Sequence, residues 1–342
     1  MKSFNETFLK ACFREKTSYT PVWYMRQAGR YLPEYRKLKE QYSILDICRE
    51  PELAARVSLA PVDILDVDAA ILFADIVIPL LGIEIDLDII ENIGPVIRKP
   101  VQSLQDVKKL RMLEPKEDIP YLLKTIAILR NELKDRVPLI GFSAAPFTLA
   151  SYLIEGKPTR DFIKTKSFMY TNKEAWDLLM DKLRGIITVY LEAQVEAGAQ
   201  TLQLFDSWVG CLGEGDYQDY VLPYTKQVCE SLNSKTVPLI HFGTNTAALL
   251  VSFSSVNCDV IGIDWRISID KAWKAIGYKK AIQGNLDPVL LLSDFSLIKK
   301  KVDEIFSTLP KKQGYIFNLG HGILPNTPVE NLIKLTEYVH NK

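Results

Sequence analysis

Arg26 and Arg30 bracket a small Gln27-Ala28-Gly29 step directly after the apolar run Val22–Met25. A guanidinium stays charged at every physiological pH and presents a planar fork of donors that matches carboxylate and phosphate oxygens. Two such forks leaving one strand end make a clamp for a ligand with several negative charges. Ala28 and Gly29 add no bulk, so the backbone there admits close approach. Taken alone, a solvated surface loop accounts for the same residues equally well.

Seven further β-rich runs deliver other polar groups. Ala69–Ala74 puts Asp75 at its tip, an isolated acid between Phe73 and Ile76, which a partner arginine would also explain. Pro138–Ser143 leads into Ala144-Ala145-Pro146-Phe147-Thr148 and then Tyr152, a residue type that in apolar surroundings is commonly a core aromatic with its hydroxyl satisfied locally. Thr201–Phe205 runs into Asp206-Ser207-Trp208, where Ser207 would serve equally as a helix cap. Pro238–Phe242 contains His241, read as structural and hydrogen-bonded. Val260–Asp264 continues into Trp265-Arg266, and Ala281–Gly284 into Asn285-Leu286-Asp287. Tyr315–Leu319 ends at Gly320-His321-Gly322, whose glycines expose the histidine. His340, near the C-terminus, reads as solvent-exposed.

Most of these runs are continuously apolar, as expected of parallel strands covered on both faces. Helical patterns separate them. Asn172 to Ala197 opens on an N-cap residue and closes at Gly198, and Thr327-Pro328-Val329-Glu330 starts the last helix with a cap and a first-turn proline. Eight strands alternating with helices, without a Gly-rich dinucleotide fingerprint, predict a single (β/α)8 TIM-type barrel over residues 1–342. A hairpin insertion follows strand 2, with arms Glu84–Asp88 and Val96–Lys99 around Asn92-Ile93-Gly94-Pro95. In that fold, chemistry sits at the C-terminal strand ends, where the groups above collect.

Composition narrows the chemistry. Lys+Arg and Asp+Glu both number 42, so the 342-residue chain has no net charge to attract nucleic acid or an anionic membrane. The five cysteines are scattered without a CxxC pair, and no two of the three histidines stand at helical ligand spacing, so no metal site is expected. Nucleophile-elbow and Walker motifs are absent. The start Met1-Lys2-Ser3-Phe4-Asn5-Glu6 lacks a signal-peptide core, and acids interrupt the apolar stretch from 57 to 90. The residues thus describe a cytoplasmic, cofactor-free enzyme acting on a small polyanion.

Met25-Arg26-Gln27-Ala28-Gly29-Arg30-Tyr31-Leu32-Pro33-Glu34-Tyr35-Arg36 resembles the N-terminal signature of the uroporphyrinogen decarboxylase family. Gly141-Phe142-Ser143-Ala144-Ala145-Pro146-Phe147-Thr148-Leu149-Ala150-Ser151-Tyr152 resembles its second signature. Phe73-Ala74-Asp75-Ile76, Leu204-Phe205-Asp206-Ser207 and Asn318-Leu319-Gly320-His321-Gly322 fall where that family contacts its substrate, so the resemblance runs through the whole chain. It implies removal of carbon dioxide from the four acetates of uroporphyrinogen III, a cyclic tetrapyrrole that also bears four propionates, to give coproporphyrinogen III without metal or organic cofactor. It implies catalytic roles for Asp75 and Arg26, with Asp75 accepting the pyrrole N–H groups. Arg26, Arg30, Tyr152, Ser207 and His321 would hold carboxylates, and Gln27, Ala28 and Gly29 would lie against the macrocycle. A homodimer is implied as well.

Two positions depart from the family pattern: Lys39 replaces a further arginine of some relatives, and Asp206 stands where others often carry glutamate. The rival readings are a zinc-dependent corrinoid-type methyltransferase on the same barrel and a non-catalytic tetrapyrrole carrier. The first needs a His-x-Cys pair and a later cysteine, which His241-Phe242-Gly243 and Gly320-His321-Gly322 do not supply.

Overall fold

A computed structural model of the chain describes residues 4–91, 93–232 and 237–342. The leader reading at Met1-Lys2-Ser3 and the hairpin residue Asn92 therefore lie outside the described residues. In chain order the strands are β1 (Ala70–Ile71), β2 (Leu87–Ile90), β3 (Gly94–Ile97), β4 (Leu139–Ala144), β5 (Thr201–Asp206), β6 (Leu239–Gly243), β7 (Val260–Gly262), β8 (Ala281–Leu286) and β9 (Tyr315–Leu319). Among the described residues, β1 and β4 to β9 form one parallel sheet in that order, and β2 pairs antiparallel with β3. No helix of the described residues is long and apolar enough to cross a membrane.

The sheet is curled. Trp23 Nε1 donates to Gln283 Oε1 (2.8 Å), and Gln283 Nε2 donates to Gln203 Oε1 (3.1 Å). Gln203 and Gln283 stand on β5 and β8, three strand spacings or roughly 14 Å apart in a flat sheet, so direct amide contact requires strong curvature. Above this polar layer, Phe205 packs edge-on to Phe142 and Phe242, with centroids 5.6 and 5.8 Å away.

The outer face of β4 is clamped by the helix Lys173–Ala197. Its Gln194 accepts from Phe142 N and donates to Phe142 O, both at 2.9 Å. A Cβ on Gly141 would stand 2.5 Å from Gln194 Oε1, so only glycine permits that approach.

Several boundaries differ from expectation, each for a local reason. Val22–Met25 is not a regular strand; one parallel bridge joins Val22 to Phe317. Side chains take three of its N–H groups: Val22 N donates to Asp68 Oδ2 (2.7 Å), Tyr24 N to Gln27 Oε1 (3.0 Å) and Met25 N to Asn318 Oδ1 (3.1 Å). The second strand shrinks to Ala70–Ile71, since Phe73 N turns to Ser58 Oγ (2.8 Å). Both hairpin arms shift. Glu84 adopts a left-handed φ of 64° and Ile85 N bonds Leu80 O, which spends those residues on ending the preceding helix.

The long helix runs Lys173–Ala197 with Asn172 at its N-cap position and Gly198 at its C-cap, as expected, although the Asn172 amide donates to Thr171 Oγ1 and makes no cap bond. The last helix is Val329–His340, because Pro328 itself is extended and takes the cap position in place of Thr327. His340 is not free in solvent. Its Nε2 lies 2.8 Å from Asp68 Oδ2, which also accepts from Val22 N, while Tyr19 and Asn5 donate to Asp68 Oδ1, so segments near both ends meet at Asp68, two residues before β1.

Candidate functional site

Gln27 builds the loop that carries the arginines. Its side chain is buried, accepting from Tyr24 N and donating to Ala69 O (2.9 Å), while its carbonyl accepts from Tyr31 Oη (2.7 Å). The side chain that was expected against a ligand is therefore turned into the protein, and Gln27 presents only its backbone. This turn forces Arg26 to a left-handed φ of 61°, unusual outside glycine. Arg26 and Arg30 are exposed. A Cβ on Gly29 would meet Arg26 O at 2.8 Å, so the tight turn needs its glycine.

Arg26 lies across the loop after β9. A Cβ on Gly322 would stand 2.3 Å from Arg26 Cδ and 2.6 Å from its Cγ. Next door, His321 is half-buried; desolvation first, then the Arg26 charge, lowers it to about 4, so the ring is neutral at pH 7.

Asp75 forms no ion pair within 4 Å among the described residues. Its Oδ1 accepts from Val77 N (3.1 Å), which fixes the carboxylate at the start of a turn. Burial raises its proton affinity, opposed by the Val77 N–H and then by the Arg26 charge. The partner-arginine explanation thus fails at contact distance, although Arg26 is within electrostatic reach.

Tyr152 projects from the helix Pro146–Glu155 and rests on Trp208, with centroids 4.1 Å apart. Burial raises its hydroxyl well above the ordinary range, and the Asp75 charge adds to that. Ser207 is no helix cap: the turn Val209–Cys211 follows Trp208 without a side-chain cap, and Ser207 O accepts from Thr244 Oγ1 (2.5 Å). Trp208, which sequence reasoning passed over although it adjoins Ser207 at a strand end, walls the site with Phe162 at 5.2 Å. The Arg30 charge acts on Tyr35, which packs on Phe73 two residues before Asp75 (centroids 5.4 Å).

Asp75, Arg26, Tyr152 and His321 therefore share one electrostatic neighbourhood, with Ser207 joined through Trp208 and Arg30 through Tyr35. Asp206 and His241 stand apart from it. Both are fully buried on the outer side of the sheet, with His241 Nε2 3.7 Å from Asp206 Oδ2. The His241 ring stacks on Phe253 at 3.8 Å and its two nitrogens lack hydrogen-bond partners among the described residues, contrary to the hydrogen-bonded role expected. No group of three His, Cys, Asp or Glu able to hold a metal ion occurs among the described residues. A neutral histidine, a phenol, two guanidinium forks and a desolvated carboxylate suit an anionic ligand that also offers hydrogen-bond donors.

Comparison with known proteins agrees in scope. The family model described as uroporphyrinogen decarboxylase matches residues 3–342. The chain is 52% identical over 336 residues to uroporphyrinogen decarboxylase from Carboxydothermus hydrogenoformans, covering 98% of this chain and 96% of the relative. It is 51% identical over 339 residues to the same enzyme from Bacillus subtilis, covering 99% and 96%. Among solved structures, a methyltransferase from Methanosarcina mazei shares the fold with a TM-score of 0.81, 18% identity and 98% coverage of both chains. The chain belongs to the uroporphyrinogen decarboxylase family.

Proposed function

We propose that this chain removes carbon dioxide from the four acetates of uroporphyrinogen III, giving coproporphyrinogen III, in a single (β/α)8 barrel spanning residues 1–342 with a hairpin insertion after its second strand. The barrel reading is supported by residues 21–25, which bond β9 on one side (Phe317 N to Pro21 O, 2.9 Å) and meet Asp68 N on the other (2.8 Å to Val22 O). The family resemblance supports a cytoplasmic homodimer.

The observation that carries the reading is Asp75: a desolvated acid without a contacting cation among the described residues, set among groups suited to carboxylates. Loss of carbon dioxide from an alkyl acetate would leave an unstabilised carbanion. Protonation of the pyrrole α-carbon next to the carbon that bears the acetate turns the ring into a cationic electron sink. The CH2–CO2 bond then breaks, its electron pair forms an exocyclic C=C bond, and the cation is discharged. Protonation of the methylene and loss of the added ring proton restore the pyrrole with a methyl group, so each cycle takes up one proton net.

Asp75, accepting the pyrrole N–H groups, stabilises the developing cation. Arg26 holds the reacting carboxylate. A guanidinium is a poor acid, and water or a substrate propionic acid supplies the proton more readily. Arg30, Tyr152, Ser207 and His321 hold the remaining carboxylates, while Ala28, Gly29 and the Gln27 backbone face the macrocycle.

Asp75→Asn tests this directly. Turnover of uroporphyrinogen III should fall by about 10²-fold or more while substrate affinity changes several-fold at most. Retained kcat would remove Asp75 from the mechanism. Tight binding without turnover by the unaltered protein would identify a carrier instead.

A further inference from the structure

Arg26 and Arg30 provide two forks, whereas the octacarboxylate proposed above needs more anchors. A third guanidinium stands at the end of β7. Arg266 Nη1 lies 2.5 Å from Asp264 Oδ2, and its guanidinium stacks 4.4 Å from the Trp265 ring centroid. Asp264 is itself fixed: Oδ2 accepts from Asn245 N (2.6 Å) and Oδ1 from Arg266 N (3.1 Å). Asn285 on β8 ties the same loop down through Asp264 O (2.8 Å) and Ile267 O (2.6 Å). The arginine is thus held before any ligand arrives, which limits the ordering entropy lost on binding.

Its position faces the site. A Cβ on Gly320 would touch Trp265 N at 2.6 Å, so the loop carrying His321 packs directly on the Arg266 turn. His321 feels the charges of both Arg26 and Arg266, whereas the cation felt by Asp75 is Arg26. The Arg266 side chain remains 45% exposed while Asp264 is 1% exposed, leaving most of its five N–H donors for a ligand.

We propose that Arg266 is a further substrate-binding residue, gripping a propionate of the tetrapyrrole on the side of His321 away from Asp75. The inference rests on the decarboxylase reading. A fixed anchor serving all four cycles must take a group present in all four, and the propionates alone persist.

The test compares the unaltered enzyme with Arg266→Ala and Arg266→Lys on uroporphyrinogen III and on its pentacarboxylate intermediate, with unfolding temperatures measured alongside. Arg266→Ala should raise KM about tenfold on both substrates with kcat within about twofold, and lysine, a point charge without a fork, should recover part of the loss. An unchanged KM, or a lower kcat at unchanged KM, would show that Arg266 serves only Asp264 and would overturn the proposal. A KM rise confined to the octacarboxylate would overturn it by assigning the contact to an acetate. Absence of turnover by the unaltered enzyme would instead overturn the decarboxylase reading itself.

Discussion

Gly322 is where a single methyl group should separate catalysis from folding. An alanine Cβ there would stand 2.3 Å from Arg26 Cδ, 2.6 Å from Cγ and 3.0 Å from Nε. Ordinary contact begins near 3.4 Å, so the Arg26 side chain must move by about 1 Å. A displacement of that size in a positioning group lowers the rate by about 10²-fold, or about 2.7 kcal/mol of barrier. The fold should hardly notice, because the Arg26 side chain is exposed. Steady-state kinetics with uroporphyrinogen III should therefore show kcat/KM of Gly322→Ala down about 10²-fold with an unfolding temperature within about 1 °C of the parent. Gly215→Ala, with open space around the new Cβ, is the control and should change neither. Full activity in Gly322→Ala would refute the constraint on Arg26, and a drop of many degrees would assign the loss to folding.

Three further outcomes follow from the same geometry. Burial raises the Asp75 proton affinity, so its ionisation opposes folding as pH rises through the folded value. Asp75→Asn should accordingly unfold about 1–2 °C higher at pH 7.5 while losing its rate, as checked by calorimetry. His321, lowered to about 4 from an ordinary 6.5, supports the folded state above pH 6.5 and loses that support as pH falls toward 4. His321→Gln should narrow the stability gap between pH 7.5 and pH 5 by about 1–2 kcal/mol in denaturant titrations. Gln27→Ala strands Tyr24 N and Ala69 O, and chemical unfolding should register about 2 kcal/mol of lost stability together with a raised KM.

Much of the scaffold was legible because its physics is local. Tyr315–Leu319 matches β9, and Thr201–Phe205 and Pro238–Phe242 fall within one residue of β5 and β6 at each end, since apolar runs covered on both faces leave no other choice. Legibility failed where a distant side chain replaced a backbone partner. Asp68 Oδ2 and Asn318 Oδ1 satisfy Val22 and Met25, and Ser58 Oγ satisfies Phe73, contacts that no local pattern announces. The site divides in the same way. Asp75, Tyr152 and His321 could be read as strand-end groups, but the burial of the Gln27 side chain depends on Ala69, 42 residues away. His340 looked like a frayed end for the same reason: Asp68, which holds it, is 272 residues earlier.

The most direct measurement is incubation of the purified protein with uroporphyrinogen III, kept reduced and dark in the presence of a chelator, followed by separation of the oxidised products by carboxylate number. Stepwise hepta-, hexa-, penta- and tetracarboxylic products at a rate indifferent to chelator are the expected result. Unchanged octacarboxylate, or turnover abolished by the chelator, would contradict cofactor-free decarboxylation at Asp75.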